Sequence, residues 1–125
     1  MNEDARAAEL MQKMPRKKLY VLISKPLASP EKLKPLLATH LDYMIGRERR
    51  GLLFASGPLN EADGPPSGHG LTILRVKDAA ETRRVAEAEP FFAQGLRTFE
   101  LKEWTVTEGT LGVRVNLSDQ SVEVA

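Results

Sequence analysis

The chain sets two helical patterns among four strand-like runs, in the order β-α-β-β-α-β, and few folds accept that order. The first run, LYVLIS, spans Leu19 to Ser24. Leu19, Val21 and Ile23 share one face, and Tyr20, Leu22 and Ser24 share the other. The spacing of Leu33, Leu36, Leu37, His40, Leu41, Met44 and Ile45 predicts one helix with a single buried stripe. Ser29 is expected to cap it, with Pro30 in its first turn. Arg47, Arg49 and Arg50 suit the negative end of its dipole, and Gly51 stops it. Leu52 to Ser56 reads as a strand apolar on both faces, ended or bent by Gly57-Pro58. Residues 60–68, NEADGPPSG, form a turn-rich loop, and His69 to Val76 is the next strand. Asp78 caps a second helix over residues 79–89, which Pro90 closes or redirects. Leu96 to Thr107 is a long strand. Phe99 and Leu101 fall on one parity and Trp104 and Val106 on the other, a switch near Lys102-Glu103 that a bulge would produce.

This is the α+β, ferredoxin-like βαββαβ arrangement, with two helices on one face of a four-stranded antiparallel sheet. A sheet with one wet face alternates apolar and polar residues. Here Tyr20, Leu22, Leu52, Leu53 and Phe54 make both faces of the inner strands apolar. The second face is therefore expected to pack on a second copy of the chain, giving a homodimer or a higher homo-oligomer. The domain spans residues 17–108. Residues 1–16 form an N-terminal appendage, with Ala7, Leu10, Met11 and Met14 on one helical stripe that Pro15 ends. Residues 109–125 form a C-terminal hairpin, in which LGVRVNL and SVEV flank Ser118-Asp119-Gln120.

Composition narrows the function. Eighteen Lys and Arg against seventeen Asp and Glu give a net charge of +1, without the cationic excess of a nucleic-acid binder. The absence of cysteine excludes disulfides, thiolate zinc sites and a cysteine nucleophile. Residues 1–18 are charged throughout and lack the apolar segment of a secretory signal, and no apolar run approaches a membrane span. A cytoplasmic protein with no membrane or nucleic-acid partner is expected. No dinucleotide or phosphate-loop motif and no metal-ligand spacing occurs, so no cofactor or metal is expected.

His40 is the sharpest candidate. An imidazole both donates and accepts protons near neutrality, which suits general acid–base work. Standing in an apolar stripe, it equally fits a core histidine whose nitrogens are satisfied. Glu87 and Glu89 both lie near the end of the second helix, and spacing does not choose between them. Ser24, Ser56 and Gly57 stand at strand ends, where backbone can approach a ligand. Tyr20, Tyr43, Phe91, Phe92 and Trp104 supply aromatic surface for a pocket wall or for the core.

Several motifs then occur in one order: YVLISKP at 20–26, HLDYM at 40–44, GLLFASGPL at 51–59, AEAEPFFAQGL at 86–96 and ELKEW at 100–104. Over roughly residues 17–107 the chain resembles the YCII-related family of small proteins. The resemblance implies a subunit of a dimeric α+β barrel. It also implies a pocket between the sheet and the first helix or at the subunit contact. It further implies a histidine–aspartate pair, the aspartate standing in an Asp-Pro-Phe motif. The histidine falls on His40, and the aspartate position is taken by Glu89 of Glu89-Pro90-Phe91, a carboxylate one methylene longer. The activities implied lie near a dehydrochlorinase of a chlorinated hydroxyquinol and, more distantly, muconolactone isomerases. The expected function is a lyase- or isomerase-like enzyme with His40 and Glu89 as its catalytic pair. Tyr20, Ser24, Tyr43, Ser56, Gly57 and Phe91 would bind a small aromatic or acidic ligand. The alternative is a non-catalytic, small-metabolite-binding or stress-associated module of the same fold.

Overall fold

The computed structural model describes residues 2–124. One compact unit covers Lys18–Thr105, and the flanking residues form a second. The elements run β1 (Lys17–Pro26), α2 (Pro30–Leu33), a 3₁₀ turn (Lys34–Leu36), α3 (Leu37–Arg49), β2 (Leu53–Asn60), β3 (Pro66–Leu74), α4 (Ala79–Glu87), α5 (Pro90–Ala93) and β4 (Arg97–Val106). α1 (Glu3–Gln12) precedes them, and β5 (Val113–Asn116) and β6 (Ser121–Val124) follow. The four long strands make one sheet in the order β2-β3-β1-β4, with β3 antiparallel to both of its neighbours. This is the ferredoxin-like α+β fold.

Strand register explains where the core sits. Tyr20 pairs with Leu74 and Leu22 with Thr72, and paired residues share a face of the sheet. Leu22, Leu74 and Ala86 of α4 are the buried centre. Leu53, Val76, Val85, Phe92, Phe99 and Leu101 pack around them. The Phe92 and Phe99 rings meet edge to face, 5.0 Å apart. A leucine as fully buried as Leu74, 1% exposed, contributes about 1.5–3 kcal/mol. Asp78 Oδ1 accepts from the Glu81 amide at 2.8 Å and starts α4, as its sequence position predicts.

Four local expectations are corrected. The first helix is not continuous. Pro35 lacks an amide proton, so the chain passes through the 3₁₀ turn before α3 begins. Ser29 occupies the cap position of α2, but its side chain makes no capping bond. The apolar stripe is not buried as one. Leu33, Leu36, His40 and Met44 are half-buried, whereas Leu37, Leu41 and Ile45 are 48%, 48% and 42% exposed. The helix lays only one of its i, i+4 rows on the sheet. Gly57-Pro58 does not end β2, for Gly57 pairs with Leu71 and Pro58 with Gly70, and the strand runs on to Asn60. β2 is an edge strand, where a residue without an amide proton breaks no ladder bond on its open side. The loop between β2 and β3 shrinks accordingly to residues 61–65.

In the flanking unit, Asn2 Oδ1 accepts from the Ala5 amide at 2.8 Å and caps α1. β5 and β6 pair as a hairpin with Val113 opposite Val124 and Asn116 opposite Ser121. Asp119 accepts from the Ser121 amide at 3.0 Å in the turn.

Candidate active site

The face of the sheet that carries the core has two ends. In successive rows, Leu22, Thr72 and Ser56 stand side by side across β1, β3 and β2, followed by Ser24, Gly70 and Pro58. The face thus passes from Leu22 and Leu74 to hydroxyls within two residues of each strand. Ser56 Oγ and Thr72 Oγ1 are hydrogen-bonded at 2.8 Å. Arg97 joins this polar end from β4, on the parity of Phe99 and Leu101. Its Nη2 donates to Ser24 Oγ at 2.9 Å and to the Gly68 carbonyl at 2.7 Å.

α5 is a single turn built around one carboxylate. Glu89 is its N-cap with extended backbone, Pro90 holds the first helical position, and Glu89 Oε2 accepts from the Phe92 amide at 3.4 Å. The other oxygen, Oε1, lies 2.6 Å from His40 Nδ1. Phe91, the next residue but one, stacks on the imidazole with ring centres 4.7 Å apart and planes 27° from parallel. The tripeptide Glu89-Pro90-Phe91 therefore supplies the charge, the fixed turn and the aromatic platform for one histidine. Glu89 is 3% exposed. A buried carboxylate is costly unless paired and hydrogen-bonded, and both of its oxygens have partners here. A carboxylate only accepts, so His40 donates to it through Nδ1, and Nε2 has no hydrogen-bond partner among the described residues. The His40 side chain keeps 25% of its surface accessible.

Around the pair lie two connected kinds of space. A cavity of about 40 Å³ is lined by His40, Glu89, Tyr43, Arg47, Ser24 and Arg97. A wider open cleft of about 710 Å³ shares His40, Ser24, Thr72 and Arg97 and adds Phe91, Ser56, Gly57 and His69. Tyr43 OH donates to the Val85 carbonyl at 2.6 Å, tying α3 to α4. The Arg47 guanidinium lies over the Tyr43 ring, 4.5 Å from its centre. Burial holds the Arg97 guanidinium below its ordinary pKa, while the charge of Glu89 pulls in the opposite direction. Among the described residues, no group of three or more His, Asp or Glu side chains is placed to hold a metal ion. No described helix is long and apolar enough to cross a membrane.

A family model for the YCII-related domain matches residues 6–105. The chain belongs to the YCII-related family. The match begins inside α1, upstream of the segment where the motifs are seen. No curated protein matches the chain. Among solved structures, it is similar to TftG of Burkholderia phenoliruptrix, a 5-chloro-2-hydroxyhydroquinone dehydrochlorinase solved in complex with 2,5-dihydroxybenzoquinone. That likeness has a TM-score of 0.60 at 19% identity and covers 70% of this chain and 93% of that one. SnoaB, a cofactor-independent oxygenase from Streptomyces nogalater, matches with a TM-score of 0.44 at 18% identity, over 74% of this chain and 94% of that one.

In this YCII-related chain the site residues expected from sequence fall into three groups. His40, Glu89 and Phe91 come together in direct contact. Ser24, Tyr43, Ser56 and Gly57 line the adjoining cavity or cleft. Tyr20 does not join them. It is buried opposite Leu74 at the apolar end of the sheet face and lines neither space, because it sits two residues toward the core from Leu22. Trp104 also lines neither, and Phe92 belongs to both the core and the cavity wall. Glu87, the alternative carboxylate, is exposed at the end of α4. Arg47, His69, Thr72 and Arg97 line the two spaces and were not among the expected site residues. Arg97 and Thr72 each interrupt an apolar parity, Arg97 before Phe99 and Leu101 and Thr72 before Leu74. A polar residue on the core parity near a strand end was the available signal.

Proposed function

We propose that the protein is an enzyme acting on a small organic molecule by moving a proton through His40, which Glu89 orients. The observation that carries this reading is the 2.6 Å contact between His40 Nδ1 and a carboxylate that is 3% exposed. Such a carboxylate fixes the imidazole tautomer and stabilises the imidazolium that forms when Nε2 takes a proton. In an isomerisation the proton returns to a neighbouring atom of the same ligand. In an elimination the leaving group departs with its bonding electrons as the proton is lost. The likeness in fold to TftG supports trying a chlorinated hydroxyhydroquinone first.

The test is chloride release from 5-chloro-2-hydroxyhydroquinone, together with deuterium uptake in heavy water by a panel of small acidic carbonyl compounds. Wild type is expected to turn over at least one of them, and His40→Gln to be slower by about a hundredfold to ten-thousandfold, the usual worth of a positioned general base. Equal turnover by wild type and His40→Gln rules the reading out. Ligand retention by both with product from neither points to the non-catalytic binding module. Glu89→Gln is read by the ring-nitrogen NMR shifts of His40: the Nδ1–H tautomer should lose its dominance.

Assembly belongs to the same proposal. Leu37, Leu41 and Ile45 of α3 and Phe54 of β2 are exposed apolar side chains along the open cleft. A contiguous surface of this kind suits burial against a second copy of the chain. Light scattering at micromolar concentration should give a dimer, and a monomer there would remove this part of the reading.

A further inference from the structure

Arg97 of β4 ties β1 and β3 together at the polar end of the sheet face. Its Nη2 takes both hydrogen bonds, to Ser24 Oγ at 2.9 Å and to the Gly68 carbonyl at 2.7 Å. Among the described residues, Nη1 and Nε make no hydrogen bond and no carboxylate stands within ion-pair distance of the guanidinium. Glu89, whose charge acts on Arg97, already has both oxygens engaged, by His40 Nδ1 and the Phe92 amide.

The space for this arrangement is built in by β3. A Cβ on Gly70 would stand 2.9 Å from Ser24 Oγ and 3.7 Å from Arg97 Nη2, so any side chain there would press on the clamp. Gly68, whose carbonyl is the second acceptor, has φ +80°, in the region that favours glycine. Burial lowers the pKa of Arg97, which marks the cost of holding a cation away from water. Glu89 offsets part of that cost at a distance, but Arg97 has no contact ion pair among the described residues. An anion arriving from outside would supply what the protein leaves out.

We propose that Arg97 is the anion anchor of this site: its unused Nη1 donors take an ionised oxygen of a small acid, a phenolate, enolate or carboxylate, while His40 Nε2 addresses the proton to be moved. The inference deepens the acid–base reading by giving its substrate class, and it rests on that reading only for the role of His40. Three features carry the assignment. Arg97 and His40 line the same cavity and the same cleft. Phe91, buried and stacked on His40, backs the imidazole at the cleft, so that the proton-moving group and the cation face one space. Nη1 keeps its N–H donors on a charged group, a charge-assisted match to an ionised oxygen.

The experiment titrates two coloured probes of one ring system into the full chain. They are 2,5-dihydroxybenzoquinone under mildly alkaline conditions, where its hydroxyls are ionised, and the uncharged 2,5-dimethoxybenzoquinone. Wild type should bind the anion more tightly than the neutral ring, with an affinity that falls as salt rises. Arg97→Met should weaken anion binding by about ten- to a hundredfold, as expected for the loss of charge-assisted hydrogen bonds. It should leave the neutral probe within about twofold, which also shows that the variant is folded. Arg97→Lys should recover part of the preference. The proposal is overturned if wild type does not bind the anion. It is overturned equally if Arg97→Met binds the anion as wild type does, or if both probes weaken together. His40→Gln separates the two readings. A variant set that moves no protons but keeps the Arg97-dependent preference for the anion overturns the acid–base reading and leaves the anchor standing. Catalysis that needs His40 but is indifferent to Arg97 does the reverse.

Discussion

Within one sheet face, Leu22 and Leu74 at one end are sealed under α4, while Ser24, Thr72, Ser56 and Arg97 at the other open onto a cleft. The strands that supply both ends are the same, and the boundary falls within two residues on β1 and on β3. The apolar end is buried, its side chains also wall the small cavity, and its contribution is stability. The polar end is hydrogen-bonded within itself yet keeps donors in excess, in Arg97 and in the buried, unpartnered Nε of Arg47. Burying polar groups there adds little stability, so the difference separates a region that stabilises the fold from the one where the proposed chemistry would take place.

The largest expected effect is at the apolar end. Leu74→Ala should lower unfolding free energy by about 2–5 kcal/mol, the range for truncating a filled core position. Urea denaturation measures it, and the His40 tautomer should be unchanged in the folded fraction. A loss no greater than that of a surface change would mean that Leu74 is not the centre of the core.

Tyr43 stands at the border, so Tyr43→Phe tests how sharply the two ends divide. Losing the bond from its hydroxyl to the Val85 carbonyl should cost about 1 kcal/mol in the same denaturation experiment. A cost of several kcal/mol would extend the rigid region into the cavity wall.

Gly70→Ala should act on binding more than on folding. The added Cβ displaces Ser24 from Arg97, so anion affinity should fall severalfold with a small change in melting temperature. Ser24→Ala should lower the affinity in the same way, by removing the acceptor that the added Cβ displaces. If Gly70→Ala binds as wild type does, the clamp is not what positions Arg97. The smallest effect is expected from Ser56→Ala. Its hydroxyl pair with Thr72 is exposed, and the change in stability should stay within about 0.5 kcal/mol.

Much of this was legible in the chain itself. Periodicity gave the βαββαβ order, because strand and helix repeats differ and turns separate them. Asp78 announced the start of α4 by the chemistry of a cap. The break at Pro35 and the passage of β2 through Gly57-Pro58 went the other way. Pro35 interrupts a stripe that the apolar residues alone draw as continuous. Gly57 and Pro58 are turn formers, and only the edge position of β2 makes them acceptable within a strand.

The sequence by itself determined the element order and the apolar parities, and the motifs shared with the YCII-related family raised the expectation that His40 and Glu89 of the Glu89-Pro90-Phe91 turn meet. Only the tertiary structure decided which atoms meet. Spacing tells on which side of an element a residue stands, but His40 and Glu89 are 49 positions apart and Ser24 and Arg97 are 73 apart. Those distances close through the packing of α3 and α5 and through strand order. The same closure split the stripe of α3 into a row that meets the site and a row, Leu37, Leu41 and Ile45, that does not reach the core. A helix can lay only part of its apolar surface on one flat sheet, and which part it lays down is fixed by the neighbours it packs against.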